Sequence, residues 1–442
     1  MRKLSLTLLA GLGALALSAS AIFAQDSGPL LDLLIKKGLI NDQEAEQLRS
    51  DLTKDFAANT AAGKLNLSSG LTELRIAGDV RARYEIRSGQ LPSGDSSERD
   101  RFRYRFRTGL YGKLYNDWSF GIRLETASGS RSSNVTMADD GGPWAKTSDT
   151  VNVGQIYAQW TPRSDFTLTV GRMANPLVST LMVWDADINP EGLAEQFKRR
   201  SGKIEYSATL GQFLYAGAST QNAYGTTANA KELALLAWQG GVKYYIEGAT
   251  KFFQFNPTFY NFYSGDFHQI PTAFRGNFTA SNAGAVNDLF IFDLPMEYDW
   301  VAGGVPVRVF ADFAVNLDGS HRATGFGRPD LKSENKAYSV GLQYGKAANR
   351  GEWDAKVFYQ SVGAFALDPN LVDSDIFDSR TNMRGVVFSA NYALGAATQL
   401  TFTFADGARK NKSLIAPGAG DVGSSNALDK YVLFQTDLNL KF

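Results

Sequence analysis

From Leu71 to the last residue, apolar and polar side chains alternate with a period of two, the pattern of a β-strand that has one apolar and one polar face. In the first such segment, Leu74 and Ile76 share one face, and Arg75 and Arg81 share the other. Sixteen segments of this kind follow one another, so the pattern predicts a large sheet. We place the strands near 73–87, 100–115, 117–128, 150–162, 165–173, 199–208, 210–219, 231–246, 248–264, 287–300, 304–317, 335–347, 350–362, 382–394, 397–409 and 429–442.

The connections between these strands alternate between short and long, with short turns at Asn116–Asp117 and near Gly211 among others. The long connections are predicted at 88–99, 129–149, 174–198, 220–230, 265–286, 318–334, 363–381 and 410–428. Short periplasmic turns and long external loops are typical of an outer-membrane barrel, and closure satisfies the backbone groups that an open edge would leave unpaired in lipid. The sequence therefore predicts an all-β transmembrane fold, a closed antiparallel 16-stranded β-barrel, with 18 strands as the alternative.

The segment before the barrel has a different pattern. Basic residues, an apolar run and small residues in 1–24 predict a secretory signal peptide. Within 25–70 the period is at first helical, and Asn41 stands three residues before Glu44 in a capping-box-like arrangement. We predict a short helical hairpin and a linker in the periplasm, followed by the barrel at 71–442. The hairpin either anchors or oligomerises the protein, or it braces the barrel mouth.

Composition excludes several kinds of chemistry. The chain has no cysteine, which rules out disulfides and thiolate sites, and 45 basic against 45 acidic side chains give no global field for nucleic acid. The two histidines, His268 and His321, fall in predicted external loops, so a Ser–His enzyme is not expected. Carboxylates at Asp139–Asp140 and at Asp373–Asp378 suit either calcium or, more simply, solvated acidic loops. We predict no enzyme activity, no metal and no cofactor.

Charged side chains are concentrated on the polar face of the first two strands. The predicted basic wall of the lumen consists of Arg75, Arg81, Arg83, Arg87, Arg101, Arg103, Arg105 and Arg107. The carboxylates predicted to face it, on the connection at 174–198, are Asp185, Asp187, Glu191 and Glu195. Opposed charges would set up a transverse field that selects among solutes in a narrow pore. Alternatively, the arginines bond to Glu85, Asp79 and Glu125 and only stiffen the wall.

Three segments resemble those of known families. The alternating run Tyr431–Phe442 resembles the C-terminal strand of outer-membrane proteins, whose terminal Phe, here Phe442, is recognised by the barrel assembly machinery. Gly171–Pro176 and Trp184–Gly192 resemble the region after the fifth strand in a family of bacterial putative porins related to the general trimeric porins. The resemblance implies that the connection after strand five folds inward as a constriction loop, and that the protein is a homotrimer. The added helical hairpin departs from the better-known porins.

These observations predict a water-filled channel in the outer membrane of a Gram-negative-type cell. Small polar solutes and ions would cross it by passive diffusion. One alternative is a substrate-specific channel for anions or sugars, in which the arginines or an aromatic track bind solute. Another is an adhesin or structural barrel with a closed lumen. Apart from solutes, the expected partners are outer-membrane lipid, copies of the same chain and the assembly machinery.

Overall fold

The computed structural model describes residues 34–37, 40, 44–48, 50–51, 68, 70–127, 132–139, 150–217, 232–263, 289–416, 421–423 and 428–442. The chain divides into two units, the second of which begins at Ser69 and contains every strand. In the first unit, residues 34–36, 44–48 and 50–51 are helical. The predicted signal peptide lies outside the described residues, as does much of the predicted hairpin and linker. Among the described residues, no helix is long and apolar enough to cross a membrane.

The second unit is one antiparallel sheet. Its strands are β1 (Leu71–Gln90), β2 (Ser96–Leu114), β3 (Trp118–Ala127), β4 (Val135–Thr136), β5 (Thr150–Arg163), β6 (Phe166–Arg172), β7 (Glu191–Ser201), β8 (Ile204–Ala216), β9 (Leu233–Glu247), β10 (Lys251–Phe255), β11 (Thr258–Tyr263), β12 (Phe290–Ala302), β13 (Val305–Asn316), β14 (Lys336–Gly345), β15 (Trp353–Val362), β16 (Met383–Gly395), β17 (Thr398–Arg409) and β18 (Lys430–Lys441). Because β18 pairs with β1, the sheet closes into a barrel.

These segments form sixteen wall strands, which confirms the predicted barrel. The two additional segments are local features. β4 is a two-residue strand paired with β2. β10 and β11 are successive parts of one wall strand, since both pair with β9 and with β12. Between them Pro257 has no N–H to donate, and Asn256 donates its own N–H to the carbonyl of Pro295 at 3.0 Å.

The seam between the first and last strands has a close backbone approach. Gly78 and Phe442 exchange backbone hydrogen bonds of 2.9 and 3.1 Å. A Cβ at Gly78 would lie 2.1 Å from the carbonyl oxygen of Arg107 and 2.7 Å from the ring of Phe442. Glycine is therefore required at position 78, because a side chain there would clash with the β2 backbone and with the ring of Phe442. The role of Phe442 as an assembly signal stays a prediction.

The wall is apolar on the outside and polar on the inside. Large side chains such as Ile76, Phe102 and Val340 are exposed on the outer face, whereas Arg83 and Glu85 on the inner face are buried. A soluble protein would show the reverse, so this arrangement fits an outer surface in contact with lipid.

Aromatic rings lie near the short turns on the outer face. The indoles of Trp118 and Trp160 stack with centroids 6.0 Å apart, and the rings of Tyr344 and Trp353 lie 5.8 Å apart. Amphipathic rings suit the headgroup level, so these residues fit one girdle of a membrane barrel.

The main error in the predicted strands lies at the sixth and seventh. We predicted them at 199–208 and 210–219 with a turn near Gly211, but they run over Glu191–Ser201 and Ile204–Ala216. The turn lies instead at Gly202, whose φ of +57° is a conformation that favours glycine. Two glutamates on the apolar face of the sixth strand hide its start in the sequence.

Short helices occur in two of the long connections. Between β13 and β14 lie α1 (Gly319–Gly325) and a 3₁₀ turn at Pro329–Leu331. Between β15 and β16 lies a 3₁₀ turn at Ile376–Ser379. The connection that holds the second turn was predicted to be external, but it folds into the barrel.

Candidate functional site

Guanidinium groups line one side of the lumen on two neighbouring strands. We call this set the arginine wall: Arg81, Arg83 and Arg87 of β1, and Arg99, Arg101, Arg103, Arg105 and Arg107 of β2. The register places three pairs directly opposite, namely Arg81 with Arg105, Arg83 with Arg103, and Arg87 with Arg99. Opposed like charges destabilise an antiparallel pair, so the wall requires nearby anions. Arg75, predicted with this set, is exposed, and its guanidinium carbon lies 5.3 Å from the ring centroid of Tyr111.

Three carboxylates, two on β1 and one on the neighbouring strand β18, supply part of that charge. Asp437 of β18 accepts two parallel bonds from Arg83, of 2.6 and 2.8 Å. Asp79 accepts a bond of 2.6 Å from Arg107, and Glu85 is fully buried among the arginines. The interpretation that the arginines are held by Asp79 and Glu85 therefore describes part of the geometry. Three carboxylates do not balance eight arginines, and the remaining partners come from loops.

The connection after β6, residues 173–190, leaves the wall and folds across the lumen. We call it the constriction loop, as the resemblance to porins implied. Met182 and Trp184 are buried in the cluster that this loop forms with the wall. On the far side, the hydroxyl of Thr180 donates a hydrogen bond to Asp312 of β13. The loop therefore spans the barrel from β6 to β13.

The two predicted loop aspartates have different roles. Asp187 faces the arginine wall, since its Oδ1 lies 3.3 Å from Nη1 of Arg107 and 3.6 Å from Nη1 of Arg105. Asp185 instead accepts the backbone N–H of Asp187 at 2.9 Å and that of Ser374 at 3.1 Å. Asp185 is thus a connector between segments of the chain, and Asp187 is the residue that opposes positive charge.

Glu191 and Glu195 were predicted on the constriction loop, and that placement is wrong. Both lie on wall strand β7, on the opposite face from Ala194, which is fully buried on the lumen side. On the outer surface Glu191 forms an ion pair with Arg172, and Glu195 accepts a bond of 3.0 Å from the amide of Gln212. Glu195 therefore does not line the pore, whereas Glu191, at the start of β7, borders the cavity that Asp187 also lines.

A second connection, residues 363–382, also folds into the barrel, and we call it the inner loop. Nearly all of it is buried, including the rings of Phe365 and Phe377. It packs on the constriction loop, because the backbone N–H of Asp185 donates to the carbonyl of Leu371 at 2.6 Å. Nothing in the local sequence pattern indicated this inward path.

The inner loop carries a carboxylate onto the arginine wall. The Oδ2 of Asp375 lies 2.7 Å from Nη1 of Arg83, and its Oδ1 lies 2.7 Å from Nη2 of Arg87. The carbonyl of Ser374 accepts a further bond of 3.2 Å from Arg87. Burial acts to raise the pKa of Asp375, but the charges of Arg83 and Arg87 outweigh burial and hold that pKa well below its ordinary value. Asp375 is therefore ionised and tightly paired.

A third loop adds another carboxylate. Asp421, in the connection between β17 and β18, lies 2.9 Å from Arg101 and 3.1 Å from Arg87. Burial raises the pKa of Asp421, and the neighbouring arginines lower it more, so that the net shift is downward. Asp187, Asp375 and Asp421 are therefore three loop carboxylates that oppose the arginine wall. The acidic run at Asp373–Asp378 was the sequence signal for one of them, although its simpler interpretation was a solvated loop.

Another acid is held where the two inward loops meet. Burial raises the pKa of Asp373 well above its ordinary value, and the charges of Asp185 and Asp375 add to this effect. One oxygen of Asp373 accepts the backbone N–H groups of Asp375 and Ile376, at 3.0 and 2.7 Å. The contact between the loops therefore contains a carboxyl group that favours its protonated form.

The wall opposite the arginines holds two buried acids that sequence reasoning missed. Asp293 of β12 and Asp312 of β13 are almost fully buried. Both oxygens of Asp293, one oxygen of Asp312 and the hydroxyl of Tyr260 have no hydrogen-bond partner among the described residues. Asp312 receives its other bond from Thr180 and so anchors the constriction loop.

Open space remains beside the constriction loop. A cavity of about 530 Å³ lies between this loop and β12–β15, and Glu297, Arg308 and Lys356 are among its lining residues. A second cavity of about 340 Å³ is bordered by Asp187 of the constriction loop and Asn370 of the inner loop. Both cavities combine apolar and charged lining residues, which suits the passage of small hydrated solutes.

The candidates for other chemistry are dispersed. His268 lies outside the described residues, and His321 is exposed on α1. Asp139 lies 3.2 Å from Arg99 near the end of the wall, while its predicted calcium-site neighbour Asp140 is outside the described residues. Within the described part of the chain, no three carboxylate or histidine side chains come together as a metal site.

Comparison with known proteins gives the family context. Residues 90–282 match the family described as putative porin. Curated protein sequences contain no match to this chain. The matched segment covers β2 to β11 completely, and it includes the whole constriction loop. The family and the fold indicate a channel rather than an enzyme.

Solved structures of similar fold include an anion-selective porin and an outer membrane protein. OprB from Pseudomonas putida has a TM-score of 0.51 at 12% identity, over 84% of this chain and 94% of that chain. The anion-selective porin from Comamonas acidovorans has a TM-score of 0.47 at 12% identity, over 84% of this chain and 99% of that chain. OmpT of Vibrio cholerae has a TM-score of 0.43 at 11% identity, over 86% of this chain and 100% of that chain. At these identities the likeness concerns the fold alone.

Proposed function

We propose that this chain, an outer-membrane channel whose residues 90–282 match the putative porins, is a diffusion porin for small polar solutes and ions. The observation that carries the proposal is the contrast between the two faces of one closed wall. The outer face presents large apolar side chains, and the inner face presents paired charges beside a cavity of about 530 Å³. Such a barrel offers hydrated solutes a path through lipid without a moving part.

Liposome swelling with sugars of graded size tests this function. A diffusion porin gives flux that falls with sugar size and does not saturate. Saturable flux would favour the alternative, a channel specific for anions or sugars. The packing of two inward loops against the arginine wall supports that alternative, because it narrows the lumen around charged side chains. Complete absence of flux would contradict both.

We further propose that the arginine wall and the loop carboxylates create a transverse field that governs ion selectivity. Arg103 and Arg105 are suited to a test of this field, because both lie on the lumen face of β2 and are almost fully buried. Replacing both by alanine should change the reversal potential in a salt gradient across a planar bilayer. Unchanged anion-to-cation permeability would favour the alternative that the arginines only stiffen the wall.

The outer surface supports assembly with copies of the same chain. Glu195 lies near the middle of β7 on the outer face, where a carboxylate in contact with lipid is unfavourable. Coverage of Glu195, Gln212 and the Arg172–Glu191 pair by a neighbouring copy would remove that cost, and a homotrimer is the proposed state. Unheated gel electrophoresis should show a trimer, and Glu195→Arg should dissociate it. A wild-type band at the monomer position would contradict this.

The targeting features are proposals as well. Export by the signal peptide at 1–24, recognition of Phe442 by the assembly machinery and a periplasmic hairpin at 25–70 are all expected of this channel. Proteinase added to intact cells should leave the hairpin uncut, whereas cells with a permeabilised outer membrane should lose it. Cleavage in intact cells would place the hairpin outside.

A further inference from the structure

The contact between the inner loop and the arginine wall has the form of a carboxylate receptor. Arg83 and Arg87 lie on the same face of β1, and each donates one hydrogen bond of 2.7 Å to a different oxygen of Asp375. Two guanidinium groups that each hold one oxygen recognise the planar geometry of a carboxylate and bind it more strongly than a single cation would.

The two arginines are already fixed by other carboxylates. Arg83 directs Nε and Nη2 to Asp437, at 2.6 and 2.8 Å, and this leaves Nη1 for Asp375. Arg87 directs Nε to Glu85 at 3.2 Å and uses Nη2 for Asp375. Because the wall holds both guanidinium groups in place, little side-chain ordering is needed when a carboxylate binds. The receptor is therefore preorganised.

Asp375 lies at the least buried part of the inner loop. Its side chain is 27% exposed, whereas Arg83 and Arg87 are 3% and 2% exposed. The loop beyond it has a further anchor, the fully buried ion pair of Arg380 with Asp378 at 2.9 Å. The carboxylate of Asp375 can therefore rotate away about its own side-chain bonds while the rest of the loop stays in place.

We propose that Arg83 and Arg87 form a binding subsite for the carboxylate group of a permeating solute, and that Asp375 is a built-in competitor for this subsite. The proposal rests on the proposed function, because the solute must enter the lumen. When a solute carboxylate replaces Asp375, the buried arginines keep a partner, so neither is left uncompensated. A neutral solute cannot make this exchange. The competitor lowers the apparent affinity by the fraction of time it occupies the subsite.

The test measures block of potassium chloride current through the full-length channel in planar bilayers. Succinate is the probe, and succinamide is its neutral control of similar shape. Wild-type channels should show weak, saturable block by succinate and none by succinamide. Asp375→Asn removes the competing charge and should tighten succinate block roughly tenfold. Adding Arg87→Gln to that variant should abolish the block. Unchanged succinate block in Asp375→Asn would overturn the proposal.

Two control variants separate the explanations. Asp330→Asn alters an aspartate that pairs with Arg328 at 2.9 Å outside the arginine wall, so succinate block should stay at the wild-type level. Asp375→Glu keeps the negative charge, so its affinity for succinate block should equal that of the wild type. A tenfold change of that affinity in Asp375→Glu would mean that loop packing sets it, and would overturn the proposal.

If Asp375→Asn fails to fold, as judged by its unheated gel mobility, the succinate block of the single variant Arg87→Gln tests the proposal instead. Loss of succinate block supports the subsite, and unchanged block refutes it. A wild-type protein that passes neither ions nor sugars would refute the proposed function instead, which is a distinguishable result.

Discussion

The two loops that enter the barrel differ in how they are held. The constriction loop crosses the lumen and bonds to the far wall through Thr180, and it meets the arginine wall through Asp187 at 3.3 Å. The inner loop is buried along most of its length, contains the Arg380–Asp378 ion pair, and meets the arginine wall through Asp375 at 2.7 Å. The loop that resembles a known constriction is therefore not the one most tightly bound to the charged wall.

This difference teaches that selectivity and narrowing can belong to separate loops. The constriction loop shapes the width of the channel because it carries bulky side chains such as Trp184 into the lumen. The inner loop sets the charge that a solute meets, because Asp375 covers two arginines. Variants that release one loop should therefore leave the other property largely unchanged.

The largest effect is expected from Arg380→Ala. Both members of the Arg380–Asp378 pair have fully buried side chains, so removal of Arg380 takes away the close cationic partner of Asp378, while Arg87 stays 3.9 Å away. The expected cost is about 3 kcal/mol. The inner loop should open locally, which hydrogen exchange of amides at 363–382 would detect as lost protection. Arg328→Ala, in a more exposed pair, is the matched control and should leave that protection unchanged. Equal protection of these amides in the wild type, Arg380→Ala and Arg328→Ala would show that the packing of the inner loop does not depend on the Arg380–Asp378 pair.

An intermediate effect is expected from Thr180→Val in the constriction loop. The substitution keeps the shape and removes the hydroxyl that donates to Asp312, so a buried carboxylate loses a partner at a cost of about 1–3 kcal/mol. Hydrogen exchange should rise at 173–190, while the inner loop keeps its protection. Loss of protection in both loops together would show that the contacts of Asp185 with the inner loop couple them, and would contradict the separation of channel width from charge.

A pH effect of smaller size is expected where the loops meet. The pKa of Asp373 is raised by burial and by the charges of Asp185 and Asp375, and Lys356 lies close enough to interact with it. When the loops are packed, Asp373 keeps its proton up to the raised pKa. When the inner loop is released, Asp373 loses its proton above its ordinary pKa, about 4. The loop contact should therefore weaken as the pH rises from the ordinary pKa to the raised one, by about 1.4 kcal/mol for each pH unit that separates the two pKa values.

Current noise in planar bilayers would follow that change. It should increase with pH in the wild type, and in Asp373→Asn it should be nearly constant over the same range. Noise that falls as the pH rises would contradict the sign of the effect. Asp375 contributes in the opposite direction, because its lowered pKa means that its contact with the arginines is lost when the pH falls below about 4 and approaches that lowered value.

The smallest effect is expected from Asp187→Asn. Its contacts with Arg105 and Arg107 are 3.6 and 3.3 Å long and partly exposed, so each contributes at most about 1 kcal/mol. The reversal potential should shift slightly towards anions, and less than in Asp375→Asn. A larger shift from Asp187→Asn than from Asp375→Asn would mean that the constriction loop, and not the inner loop, mainly determines ion selectivity.

Some site residues could be predicted from the sequence because their placement depends on local alternation. The lumen-facing parity of Arg83, Arg103 and Arg105 follows from the period of two, and the same parity on β18 places Asp437 beside them. Asp437 was nonetheless missed, since a single carboxylate in an alternating strand gives no signal of its partner. Glu191 and Glu195 were misplaced because glutamates on an outward face break the apolar pattern that marks a wall strand.

The sequence by itself determined the closed barrel, its sixteen wall strands and the basic character of one side of the lumen. Alternation of side chains and the chemistry of short turns act over a few residues, so both can be recognised without knowledge of distant contacts. Only the tertiary structure decided that the inner loop lies inside the barrel and that Asp375 covers Arg83 and Arg87. The path of a long loop depends on contacts between residues hundreds of positions apart, and no local pattern encodes which of them form.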